Sequence, residues 1–231
     1  MAEEIGDDEA ALRWTDRAVD LAEAAGDHDL ASYAFVRRAL ITYYKGNAAD
    51  TVALAARARS RRFPDRIRGL AAQREAQGHA LAGDYDACMR ALDAARLLLS
   101  SGQHDTEAPA LGTTHLGDPA AMITGWCLVD LGRPRQAAKH LDRECAAIPG
   151  HALRTRARYG VRRALAHAVA GEFDHSCELT GRLLQTTDCV GSATIATDLR
   201  RLARTLARHP RRPAFLAISA HLNASLAPAG R

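Results

Sequence analysis

The chain has 231 residues, of which 47% are hydrophobic and 25% charged, and its formal net charge is +4. That is enough chain and apolar surface to bury a core, which excludes disorder as the dominant state. Its 49 alanines stand against 11 aromatic residues; alanine is the best helix former while strands want β-branched and aromatic side chains, so an all-α fold is expected.

In chain order, apolar periodicity and helix breakers predict helices at about 7–25, 28–45, 47–61, 65–82, 84–100, 119–131, 133–147, 151–170, 172–186, 190–207 and 212–226. The Gly-, Pro- and polar-rich stretch 101–119 is expected to be irregular, either a loop on one edge or a lid over a groove. Residues 190–226 are expected to cap the array, and the whole chain, 1–231, to form a single helical-repeat domain. The ends differ in charge: residues 1–30 carry ten Asp/Glu against two Arg, and residues 200–231 carry seven Arg and no acid. Such ends attract partners of opposite sign or simply form the solvated tips of a long array.

A repeat underlies the helices. Glycines open an alanine-rich helix at Gly6, Gly46, Gly83, Gly132 and Gly171, with spacings of 40, 37, 49 and 39 residues. If each glycine turns the chain between two packed helices, residues at fixed offsets must be small, because backbones approach most closely there. Five residues after the glycines stand Ala11, Thr51, Cys88, Ala137 and Ser176, and seven before them stand Ala39, Ala76, Gly125 and Ala164. All nine are small. Pro149 falls where a repeat would end, since proline stops a helix.

On the stretches Ala39 to Ala58, Ala76 to Ala95, Gly125 to Pro149 and Ala164 to Leu183, the chain resembles the tetratricopeptide family. That resemblance implies a right-handed α-solenoid of helical hairpins, with the first helix of each hairpin lining a concave face. Two departures stand out: the family's aromatic residue four before the turn is replaced by Thr42, His79, Leu128 and His167, and the spacing exceeds the usual 34 residues. The phrases Leu81-Ala82-Gly83-Asp84, Trp126 to Gly132 and Leu199-Arg200-Arg201-Leu202 resemble more specifically the sensor half of actinobacterial regulators. In those proteins a tetratricopeptide-like domain follows a Xre-type helix-turn-helix, which implies a link to transcriptional regulation. In this scheme the first helix is already the second member of a hairpin. Its apolar residues Trp14, Val19 and Leu21 are therefore expected to need cover from an upstream segment, a partner or a second copy.

Catalytic signatures are missing from the sequence. No two of the ten histidines form a ligand pair on one helix face; His167 and His175 lie on opposite sides of a turn, and His104 and His115 fall in the irregular stretch. Glu144 and Glu178 belong to different hairpins, and the turn glycines lack the Lys-Ser/Thr ending of a phosphate loop. The expectation is a protein without catalytic activity, cofactor or metal. Cys88, Cys127, Cys145, Cys177 and Cys189 are odd in number and unclustered, which suits free thiols in a reducing cytoplasm. Residues 1–6 are acidic and no apolar run is long enough to span a membrane, so neither a secretory leader nor a membrane anchor is expected. The arginines from Arg200 to Arg212 suit nucleic acid in principle, but Leu199, Leu202, Leu206 and Phe215 give the segment the apolar face of a cap, and no compact helix-turn-helix can be traced.

Fixed offsets also mark a candidate groove. It comprises Tyr33, Arg37, Tyr43 and Tyr44 from the second helix, Gln73, Arg74 and Gln77 from the fourth, Met122 and Trp126 from the sixth, and Arg158 and Arg162 from the eighth. Arg37, Arg74 and Arg162 share one offset, and guanidinium suits bidentate capture of carboxylate or phosphate. The groove reading implies a peptide, a small anionic ligand or a partner protein; otherwise these arginines pair with neighbouring acids. A scaffold without ligand sensing is the other function the pattern allows, and dimerisation through the N-terminal helix is a further expectation.

Overall fold

The computed structural model describes residues 7–101, 116–190 and 192–227, and its described residues hold eleven helices and no strand. They are α1 (Asp8–Ala24), α2 (His28–Tyr44), α3 (Ala48–Arg57), α4 (Asp65–Ala82), α5 (Tyr85–Ser101), α6 (Pro119–Asp130), α7 (Pro134–Ala146), α8 (Leu153–Ala170), α9 (Phe173–Val190), α10 (Ala193–Leu206) and α11 (Pro213–Leu226). The all-α class follows. Gly6, Met1 to Glu4 and most of the 101–119 stretch, with His104 and His115, lie outside the described residues, as does the side chain of Cys189.

The short turns have a common construction. Gly26, Gly46, Gly83 and Gly171 adopt positive φ of 73°, 76°, 78° and 90°, a conformation cheap only for glycine at a helix C-terminus. At Gly46 the glycine N–H bonds Tyr43 O and the next N–H bonds Thr42 O, and the same pair of bonds recurs at Gly83 with Ala80 and His79. The residue after the glycine then caps the next helix: Asp27 accepts from Leu30 N at 2.9 Å, Asn47 from Asp50 N at 3.1 Å and Asp84 from Ala87 N at 2.9 Å. Each such cap contributes about 1 kcal/mol. Gly26-Asp27 carries the same chemistry and belongs with the turn glycines, although the repeat spacing did not single it out. One helix is shorter than its periodicity suggested. α3 ends at Arg57, where the polar run Ser60-Arg61-Arg62 and Pro64 break it, and Phe63 tucks in as a buried residue.

The chain divides into two compact units, the first from Asp7 to Gly132 and the second beginning at Arg133. In the first, each helix from α1 to α5 packs on its successor, and α2 also packs on α4 and α4 on α6. The alternate helices α2, α4 and α6 therefore lie side by side. In the second, α7 packs on α8 and α8 on α9, while α8 also meets α10 and α9 meets α11.

Small residues make these contacts close. Ala39, Ala76, Ala164, Thr51, Cys88, Ala137 and Ser176 are fully buried, and Ala11 nearly so. Thr42 and Thr51 hydroxyls meet at 3.0 Å between α2 and α3. Helical glycines take the same role. A Cβ on Gly78 would stand 2.7 Å from Val52 Cγ2, and one on Gly160 would stand 2.5 Å from Leu183 Cδ2. A core of the first unit joins Val36 of α2 to Ile67, Leu70 and Ala71 of α4 and Leu99 of α5. Cys88, Cys127, Cys145 and Cys177 are in no disulfide.

Candidate functional site

The three side-by-side helices of the first unit carry most of the sequence-nominated residues. Tyr43, in the last turn of α2, reaches as far as α6: its hydroxyl donates to Asp130 Oδ2 at 2.6 Å and accepts from Trp126 Nε1 at 2.5 Å. Tyr44 joins them, with ring centroids 5.3 Å from Tyr43 and 6.3 Å from Trp126, all in the edge-to-face geometry that aromatic quadrupoles prefer. Tyr43 and Val129 share one offset from their turns with Ala80 of α4. Ala80 is fully buried and offers only a methyl group, so α4 leaves room for the link between α2 and α6. Trp126 is 0% exposed, and its indole N–H donates to the Tyr43 hydroxyl.

On α4, Gln73 and Gln77 are 3% and 0% exposed, and the Nε2 of each has no hydrogen-bond partner. Arg74, half-buried between them in sequence, donates from Nη1 to Gln77 Oε1. Met122 is buried on α6. Tyr33 packs half-buried against the Val36 and Leu70 core, and Arg37 is half-buried on the same helix. Tyr33, Arg37, Tyr43, Tyr44, Gln73, Arg74, Gln77, Met122 and Trp126 therefore all belong to the first unit.

Arg158 and Arg162 belong to the second unit and are described with it. Arg158 is half-buried on α8. Arg162 Nη2 lies 2.6 Å from Asp198 Oδ1 of α10, and the two side chains are 2% and 3% exposed. At this position on α8 the guanidinium meets a carboxylate of its own chain. The three arginines that share an offset thus divide, with Arg37 and Arg74 on neighbouring helices of the first unit and Arg162 in an ion pair in the second. Of the basic C-terminal run, Arg200, Arg204, Arg208, Arg211 and Arg212 are exposed, while Leu199, Leu202 and Leu206 are buried beneath.

The second unit also brings together residues that sequence spacing had separated. His167, at the end of α8, and His175, in the first turns of α9, stack edge-to-face with centroids 4.6 Å apart. His167 lies between two acids, Nδ1 at 2.6 Å from Glu172 Oε2 and Nε2 at 3.0 Å from Asp142 Oδ1, and Arg163 Nε sits 2.5 Å from the same Asp142 oxygen. Burial raises the Asp142 carboxyl, but the hydrogen bonds from His167 and Arg163 outweigh it and hold the group below its usual range. Glu144 and Glu178 are taken by Arg143 and Arg182. A nearby cavity of about 180 Å³ is lined by Cys145, Arg156, Arg163, Leu179, Arg182 and Leu183, among others.

No family model matches the chain, and no curated protein is significantly similar to it. Among the described residues no helix is long and apolar enough to cross a membrane.

Proposed function

We propose that the chain is a non-catalytic regulatory binding module of tetratricopeptide-like solenoid type, and that the α2, α4 and α6 face takes an extended peptide or a small anionic ligand. The single observation that carries this is the pair of buried glutamine amides on α4. A buried donor without a partner costs about 1–3 kcal/mol, and the Nε2 atoms of Gln73 and Gln77 both stand in that condition. Both side chains are closed to solvent, so a ligand with carbonyl or carboxylate acceptors would satisfy them on parting the side chains that cover them. Arg37 and Arg74 on adjacent helices add the positive charge that favours a carboxylate-bearing ligand, and the hydrogen-bonded Tyr43–Trp126–Asp130 group, its two rings buried, ties α2 to α6. The resemblance to the sensor half of Xre-type regulators supports a place in transcriptional regulation in the cytoplasm, with the DNA-binding element on another segment or chain.

The test is paired affinity capture from native lysate, analysed for proteins and small molecules, with wild-type chain and Gln73→Met side by side. A species held by the wild type and lost from the variant supports the reading; capture that is identical for both contradicts it.

A second reading is a scaffold that holds a partner protein through α1. Trp14 and Leu21 there are 70% and 56% exposed, and large apolar side chains so exposed favour an interaction surface.

A further inference from the structure

We infer that Asp142, His167 and His175 form a binding site for a zinc-class divalent transition-metal ion within the second unit. One ligand atom from each of the three lies within 4.8 Å of the others. Three different helices supply them: α7 gives Asp142, α8 gives His167 and α9 gives His175. The positions are fixed by packing of α8 against both neighbours and by the tight turn at Gly171, which places the first turns of α9 beside the end of α8.

The state of His167 makes the argument. Its ring is 4% exposed and faces a carboxylate on each nitrogen. A ring that donates Nδ1–H to Glu172 offers Nε2 as the nitrogen that can bind a metal. Nε2 lies 3.0 Å from Asp142 Oδ1, and a metal ion bound there would take the place of the proton that bridges the two. Adjacent ligands around a metal held by bonds of about 2.0–2.1 Å stand roughly 3–3.4 Å apart, and the His167–Asp142 separation is of that size.

Glu172 completes a recurrent arrangement. A carboxylate behind the distal nitrogen of a metal-bound histidine fixes its tautomer and raises its basicity, and Glu172 occupies that place. His175 and Asp142 are partly exposed, so ion and water can enter and the His175 ring can close the remaining distance by a change of rotamer. Two imidazoles and one carboxylate suit zinc, cobalt or nickel and not calcium or magnesium, whose sites are built from oxygen. Arg163 shares Asp142 Oδ1 and is the built-in competitor for that oxygen; Asp142 has a second oxygen to offer.

The probe is cobalt(II), titrated into chelator-stripped full-length chain and followed by its visible ligand-field bands, with zinc affinity measured by competition. A single equivalent bound with four- or five-coordinate bands is expected. His175→Ala, at a half-exposed position, should leave the helical circular dichroism unchanged and weaken zinc binding at least about tenfold, and Glu172→Gln should weaken it about 10- to 100-fold. No ligand-field bands, or zinc binding equal in wild type and His175→Ala, overturns the site; the cation between the two carboxylates is then the imidazolium of His167 itself.

Discussion

The hydroxyl of Ser176 donates to the backbone carbonyl of Ala164 at 2.7 Å, across the turn at Gly171. These residues stand five after and seven before that glycine, the two offsets at which the sequence demands small side chains, and in the structure they touch. Ala164→Leu puts a branched side chain into this contact and is expected to destabilise the protein by about 1–3 kcal/mol. Ser176→Ala removes one buried hydrogen bond and costs about 1 kcal/mol. Urea unfolding followed by circular dichroism measures both, and an Ala164→Leu midpoint equal to that of the wild type contradicts close packing at this turn.

The Arg162–Asp198 pair makes a separate prediction. Removing one member of a buried ion pair strands a charge, so Asp198→Ala should lose about 3–5 kcal/mol, whereas the apolar double replacement Arg162→Met with Asp198→Leu should recover most of it. A small loss for Asp198→Ala in chemical denaturation argues that Arg162 does not depend on this partner.

Legibility followed locality. Turns, helix limits and packed small residues rest on contacts close in sequence and could be read from Gly-Asp and Gly-Asn phrases and fixed offsets. Asp198 was also readable, although the repeat offsets passed over it. It interrupts the apolar stripe Ile195, Leu199, Leu202 and Leu206, and an acid in such a stripe announces a buried cation partner. What stayed hidden depends on distant pairing. Nothing in the spacing says that Tyr43 of α2 reaches Trp126 and Asp130 of α6, because that link requires α4 to present Ala80 between them. Asp142 and His167 stand 25 residues apart on the consecutive helices α7 and α8, so their meeting is a property of packing and leaves no local motif. Along the chain His167 and His175 lie on opposite sides of a turn, and only the tightness of that turn stacks their rings.

Cys145 is half-buried, and burial pushes its thiol up from 9.0 to about 12, with the Arg163 charge opposing. A folded-state value raised above the unfolded one means that its contribution to stability is intact below pH 9 and is lost as the pH climbs toward 12. The thiolate is the reactive form, so alkylation of Cys145 at pH 8 should be slow in the folded protein and become fast only in denaturant. Peptide mapping after timed alkylation checks this; rapid labelling of Cys145 in the native state contradicts it.

The proposed partner surface on α1 predicts concentration-dependent association of the wild-type chain in sedimentation velocity, or retention of a partner, and its loss on Trp14→Glu. Because Trp14 is 70% exposed, the melting temperature should hardly change. Monomeric behaviour with no partner retained, identical in the variant, contradicts this reading of α1.

The most direct test of the proposed binding face asks what Gln73 is for. It is 3% exposed and its amide nitrogen has no partner, so a purely structural account would favour an apolar side chain of similar length there. Thermal unfolding of ligand-free Gln73→Met against wild type measures the difference. If the amide is held for a ligand, removing an unsatisfied buried donor should leave the melting temperature unchanged or raise it, by up to about 1–3 kcal/mol of added stability. A melting temperature lowered by several degrees would show that the amide serves the fold, and would contradict a face built to bind.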